Sequence, residues 1–184
     1  LHSLIPSLAS IMSRVAFALV IIASLSASAF ACESAQSLIE QAEGYRACEY
    51  VDTQGHPTVC YGFNLDKSNA AQQIAAVGGD YSKVRAGGCL SQSQCTQLLQ
   101  MDMQSAVSGE EQVFGSSICY CVTQALIDMT YNLGTGGISS FTTFRSYIEA
   151  GEWAKAAQDA RGTLWCSQVG SRCTRDASII EAGC

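Results

Sequence analysis

Residues Glu43 to Asn64 read E-G-Y-R-A-C-E-Y-V-D-T-Q-G-H-P-T-V-C-Y-G-F-N, and the reading of this stretch decides the fold. The apolar residues Leu38, Ile39 and Ala42 just before it have helical spacing, and Gly44 supplies the break that ends a helix. Two short runs with strand character follow, Arg46 to Val51 and Pro57 to Phe63. The linker Asp52-Thr53-Gln54-Gly55-His56 has the composition of a hairpin turn. One carboxylate, Glu43, therefore leaves a helix end, a second, Asp52, stands where the first strand enters the turn, and the Thr58 hydroxyl begins the return strand. Residues equidistant from a turn centred near Gln54 and Gly55 pair across it, which brings Asp52 and Thr58 together. Two carboxylates and a hydroxyl on one edge can split a glycosidic bond with water. Taken singly, each has a plainer use: a solvated helix-end charge, a turn-forming Asp and a strand Thr.

The pattern of Glu, eight residues, Asp, five residues, Thr resembles the active-site signature of the phage-type lysozymes, glycoside hydrolase family 24. Its setting E-G-x-R…Y-x-D-T-x-G…T-x-x-x-G extends the likeness through Gly44, Arg46, Tyr50, Thr53, Gly55 and Gly62. The resemblance runs on from Ala125 to Phe141 and from Leu164 to Arg175. It implies an α+β, lysozyme-like fold: a small β-hairpin lobe and a larger helical lobe joined by a long helix, with a cleft between them. It also implies hydrolysis of the β-1,4 bond between N-acetylmuramic acid and N-acetylglucosamine in bacterial peptidoglycan, with inversion, by a monomer. On that resemblance Glu43 is the general acid, Asp52 and Thr58 hold the attacking water, Asn132 touches substrate, and Arg172 reaches and orients Glu43. Phe63 departs from the pattern. The family often has a histidine there that ties the hairpin to the long helix, so an ion pair is expected to be lost, with disulfides standing in.

Outward from the hairpin, Met12-Ser13-Arg14 looks like a start with a basic region, Val15 to Leu25 is an apolar core, and Ala29-Phe30-Ala31 is an A-x-A cleavage site. Residues 1–31 are read as upstream residues and a cleaved signal peptide, and 32–184 as one catalytic domain. The apolar run is short for a bilayer span, so stable membrane association is not expected. All ten cysteines lie after the expected cleavage point, and their even number reads as five disulfides made in an oxidising compartment. With no C-x-x-C pair, neither zinc nor any other cofactor is expected. Cys48 and Cys60 are equidistant from Gln54, which predicts a Cys48–Cys60 bridge stiffening the hairpin, and Cys166 with Cys173 could close a short loop.

The formal net charge is −6, and loss of Arg14 with the leader takes it one unit further. No basic patch is available for nucleic acid. An acidic chain is repelled by an anionic cell wall at neutral pH, so a working optimum below neutrality is expected. Downstream, Asn69 to Val77 predicts a short helix and Tyr81 to Gly88 a loop. Ser91 with Gln94 has the form of a capping box opening a helix that gives way to loop at Glu110 to Ser117. Cys119 to Leu133 predicts a second strong helix stopped by Gly134, followed by helices over Phe141 to Ala150 and Glu152 to Arg161. Trp165 reads as core and Arg175 as a surface charge. The glycines at 134, 136 and 137 lack the Lys-Ser/Thr of a phosphate loop. Three rival readings remain: a lytic transglycosylase, which would need only one Glu; a peptidoglycan binder without activity; and a disulfide-rich structural protein, for which the helical periodicity is too regular.

Overall fold

The computed structural model describes residues 32–52 and 54–184; the leader, its cleavage site and Thr53 lie outside the described residues. Helix α1 (Ala35–Glu43) is capped by Ser34, whose hydroxyl accepts from the Ser37 N–H, and it ends at Gly44 with φ 71°. The expected hairpin follows as β1 (Arg46–Val51) and β2 (Pro57–Cys60), with Tyr50 opposite Thr58. A third short strand, β3 (Phe63–Asn64), turns back on β2, so the hairpin is a three-stranded antiparallel sheet in the order β1-β2-β3. The short helices α2 (Ala70–Ala76) and α3 (Tyr81–Val84) complete this part. The latter replaces the expected loop, because the Asp80 side chain accepts from the Lys83 N–H and caps it.

The capping box is present, with reciprocal bonds between Ser91 and Gln94 opening α4 (Gln92–Phe114). At 23 residues this helix is about 35 Å long and runs through the segment read as loop. Val113 and Phe114 are drawn into the core, and Gly115, with φ 77°, ends the helix. Gly109 is not a breaker; a Cβ there would collide with the Thr135 side chain, so the residue lets α4 and the next helix cross closely. That helix, α5 (Tyr120–Ser139), is kinked rather than stopped at Gly134, whose φ is 69°. Helices α6 (Thr142–Glu149), α7 (Trp153–Arg161), α8 (Leu164–Val169) and α9 (Ser171–Ala182) close the fold.

Two apolar clusters underlie the two lobes. Ile39, Val59, Leu65, Ile74 and Leu98 pack beneath the sheet. Leu126, Met129, Ile138, Phe144 and Ile180 fill the helical part, where Phe144 stands edge-on to both Phe114 and Phe141. The fold is therefore the expected α+β arrangement, a small sheet followed by a mostly helical region.

The disulfides correct one expectation. Cys48 does not join Cys60: the pairs are Cys32–Cys121, Cys48–Cys89, Cys60–Cys95, Cys119–Cys184 and Cys166–Cys173. The register shifts between Arg46 and Tyr50, which puts Arg46 rather than Cys48 opposite Cys60. Cys48 instead bridges Cys89 on the free edge of β1, where the Leu90 N–H also donates to the Ala47 carbonyl. Cys60 reaches inward to α4. The bridges thus fasten the sheet to its surroundings instead of cross-linking its two strands, and the short Cys166–Cys173 loop forms as expected.

Candidate active site

Glu43 is the last residue of α1, and its side chain is 27% exposed. Oε1 accepts from Arg172 Nη1 at 2.8 Å. Oε2 faces the β2–β3 turn, where a Cβ on Gly62 would sit 3.4 Å away. Gly62 also has φ 77°, so the turn that approaches Glu43 needs glycine for its backbone and for the space it leaves. Glu43 lines a cleft of about 550 Å³ with Asn132, Val169, Ser171, Arg172 and Arg175. Beyond Gly62 lies a second hollow of about 380 Å³, lined by Lys67, Asp102, Ser105, Tyr131 and Thr135 among others.

Asn132 is exposed in the cleft wall, and its Oδ1 accepts from Trp165 Nε1 at 2.7 Å. Its carbonyl is thereby fixed and its amide NH₂ presented outward. Trp165 is buried as expected, but it also holds this amide in place.

Asp52 sits in the turn, where its Oδ1 accepts from the backbone N–H groups of His56 at 2.8 Å and Gln54 at 2.9 Å. These bonds, the His56 one first, hold its carboxyl below the usual range, so it is ionised throughout the neutral region. Thr58 is 2% exposed and donates its hydroxyl to the His56 carbonyl at 3.1 Å, which steadies the same turn. Neither residue forms part of the cleft wall around Glu43. What connects the two carboxylates is Tyr50. Burial pushes its phenol up, the Arg46 guanidinium stacked 4.5 Å from its ring centre opposes this, and negative charge from Asp52 and then Glu43 adds to it. Tyr50 thus lies within electrostatic reach of both.

A buried ionic cluster stands behind Arg172. Its Nε and Nη2 donate to the two oxygens of Asp128 at 3.1 and 2.7 Å, leaving Nη1 for Glu43. Burial works against charge on this guanidinium, and Asp128 and then Glu43 overcome it, so the group is held firmly protonated. Arg175 is not a surface charge: its Nη2 donates to Asp128 Oδ2 at 2.7 Å and to Asp176 at 3.2 Å. Asp128 and Asp176 are both fully buried. Neither carried a role in the sequence reading, although the sequence holds a signal for Asp128. A charged residue set inside the apolar run Ala125-Leu126-Ile127-Asp128-Met129 needs a buried partner.

A sequence profile of the phage lysozyme family matches residues 40–174. The chain belongs to that family. It is 26% identical over 161 residues to a protein of Dictyostelium discoideum named probable T4-type lysozyme 2, covering 82% of this chain and 95% of that protein. It is 28% identical over 160 residues to the pre-baseplate central spike protein Gp5 of Enterobacteria phage T4, of which it spans only 28%. It is also 27% identical over 125 residues to an endolysin of Bacillus phage B103, covering 67% of this chain and 41% of that protein. In this lysozyme-family chain the carboxylate at the α1 end, the amide at 132 and the guanidinium at 172 line one cleft.

Proposed function

We propose that this protein is a secreted muramidase that hydrolyses the β-1,4 bond between N-acetylmuramic acid and N-acetylglucosamine in bacterial peptidoglycan. The observation that carries the reading is the Glu43–Arg172 pair, 2.8 Å apart, at the wall of a cleft of about 550 Å³ in a phage lysozyme fold. Glu43 is the general acid that protonates the departing sugar oxygen. Arg172 orients its carboxyl before substrate arrives, and Asn132 presents its amide to the sugar. Asp52, ionised and tied to the turn, takes a proton from a water on the opposite face, and Thr58 keeps the turn that aims it. A single displacement of this kind needs room for the water, so the two carboxyl groups work roughly 6.5–9.5 Å apart, and the anomeric centre inverts. No metal or cofactor takes part in these steps.

Secretion fits the five disulfides, whose formation calls for an oxidising compartment, and the leader-like segment 1–31. No described helix is long and apolar enough to cross a membrane. The test is mass analysis of the fragments released from purified peptidoglycan by the processed protein and by Glu43→Gln. Reducing-end products that have gained water, lost in the variant while its circular dichroism is unchanged, support the reading. Anhydro ends would mark a transglycosylase, soluble fragments from the variant would remove Glu43 from its role, and no fragments from either protein would leave a binder.

A further inference from the structure

The cluster behind Arg172 contains one carboxyl more than ionic pairing requires. Two guanidinium groups, Arg172 and Arg175, face three carboxyl groups: Glu43 from α1, Asp128 from α5 and Asp176 from α9. Asp128 accepts from Arg172 through Nε and Nη2 and from Arg175 through Nη2, which leaves room on its carboxylate for one further donor. Asp176 receives only Arg175, at Oδ1. Its Oδ2 is buried, and no protein N–H or O–H points at it. The two carboxyl groups are nonetheless held side by side in the interior, because the same nitrogen, Arg175 Nη2, lies 2.7 Å from Asp128 Oδ2 and 3.2 Å from Asp176 Oδ1. Two ionised carboxylates in that contact would repel in a site from which water is excluded. A proton on Asp176 turns the orphaned oxygen into a donor and the repulsion into a bond.

We propose that Asp128 and Asp176 are positioning residues for the active site: a carboxyl pair bridged by one proton, which fixes the Arg172 fork and so aims its remaining N–H at Glu43. The inference rests on the glycosidase reading of Glu43 and explains what that reading leaves open, namely why Arg172 presents one edge and not another. A guanidinium gripped along its Nε–Nη2 edge has a single orientation, and its Nη1 then points along one line. Charge balance agrees. With Asp176 neutral, Glu43 and Asp128 oppose Arg172 and Arg175, and the cluster carries no net charge; with Asp176 ionised it holds an uncompensated negative charge in the interior. Burial first, and then the charge and hydrogen bond of Asp128, push the Asp176 carboxyl up to about 8 against the pull of Arg175 and Arg172. From α7, Arg161 is engaged farther along α9 with Ser178 and Glu181. From α5, Tyr131 is half-buried, and its own phenol is raised by burial and by the charges of Asp102, Glu43 and Asp128 against the pull of Arg172.

The test uses the full chain with its disulfides intact and purified peptidoglycan as substrate. Asp128→Asn should lower kcat on the order of 10- to 100-fold with KM little changed, because the acid is misaimed while the sugar site is intact. Asp176→Ala should lower kcat in the same way, and Asp176→Asn, which keeps a donor at every pH, should recover most of that loss. An Asp176→Asn variant as impaired as Asp176→Ala would mean that the ionised form is the one required, and a loss carried by KM would mean a role in binding; either overturns the inference. A second measurement needs no turnover. With Glu110, another buried acid whose carboxyl is pushed up to about 7, replaced by Gln so that it cannot contribute, the infrared C=O band of a buried protonated carboxyl should be present at neutral pH and should disappear when Asp176→Asn is added. Its absence from the Glu110→Gln protein overturns the pair even if the Asp176 variants fail to fold. If the band is present but the unaltered protein releases no fragments, the pair stands and the glycosidase reading falls.

Discussion

Asp52 in the hairpin turn and Asp176 at the base of the helical lobe are the same side chain driven in opposite directions. The turn surrounds Asp52 with backbone N–H groups and leaves it to water, so it stays ionised well into acid. The helical lobe buries Asp176 against Asp128, and that keeps the proton on up to about pH 8. A charge held by the backbone in solvent can act on a water molecule. A neutral acid shut away from solvent can only hold other groups in place. On the proposed function, then, burial rather than residue type separates the chemistry from the scaffolding.

The strongest way to break this contrast is to remove one charge from each region. Asp52→Asn should cut turnover on the order of 10²- to 10⁴-fold while lowering thermal unfolding near neutrality only slightly, because the exposed Asn carbonyl can still accept from the turn N–H groups that favour the carboxylate. Arg172→Met should do the reverse in emphasis, lowering unfolding stability by about 3–5 kcal/mol because Asp128 loses its main partner in the interior. Denaturant midpoints alongside rates check both. If Asp52→Asn unfolded as early as Arg172→Met, the turn would be scaffold and the contrast would fail.

A smaller effect sharpens the pH side of the comparison. Glu110 on α4 is a second buried acid of the Asp176 kind: burial first, and the neighbouring Glu111 charge after it, push its carboxyl up to about 7, and its Oε1 has no partner. A raised acid binds its proton more tightly in the folded chain than in the unfolded one. Its contribution is therefore complete below about pH 4.5 and is lost as pH rises to about 7. Glu110→Gln removes the titration, so its stability relative to the unaltered protein should climb by about 3 kcal/mol over that interval and then level off. Melting curves recorded at steps between about pH 4 and pH 8 measure it. Asp176 acts with the same sign over a longer window, whereas Asp52 contributes above its unfolded value and loses that contribution only as the medium becomes strongly acid. The interior of this protein thus favours acid, in the same direction as the optimum expected from its net charge.

Much of the frame could be read from the sequence because it rests on local rules. The hairpin follows from the turn composition at 52–56, the start of α4 from the Ser91–Gln94 box, and the end of α1 from Gly44. What escaped reading depends on distant partners. A register shift between Arg46 and Tyr50 is invisible in the residues themselves, and it redirected both Cys48 and Cys60. Glu110 to Ser117 read as loop and Gly134 as a stop, yet α4 runs on to Phe114 and Gly134 merely bends its helix. At the site, Glu43, Asn132 and Arg172 line one cleft and Asp52 and Thr58 lie outside its wall, while Asp176 could not be found, because nothing in R-C-T-R-D tells that its last residue points inward.

The departure at Phe63 yields the mildest prediction. Where the family often has a histidine anchoring the hairpin to the long helix, the sequence suggested that disulfides alone would serve. Cys60–Cys95 does join the sheet to α4, but an ion pair is also kept: Lys67 Nζ lies 2.6 Å from Asp102 of α4 and 4.7 Å from the centre of the Phe63 ring. In this chain the lysine supplies the charge, and the phenylalanine ring lies beneath it. With Lys67 37% and Asp102 17% exposed, the pair is screened, so Lys67→Ala should cost only about 0.5–1 kcal/mol, and less as salt is raised. Reducing the disulfides should unmask it, because the covalent tie and the ionic one fasten the same two elements. A cost for Lys67→Ala that stays constant between the oxidised and reduced protein would show that the two ties act independently, and that the sheet is held to α4 by its apolar underside instead.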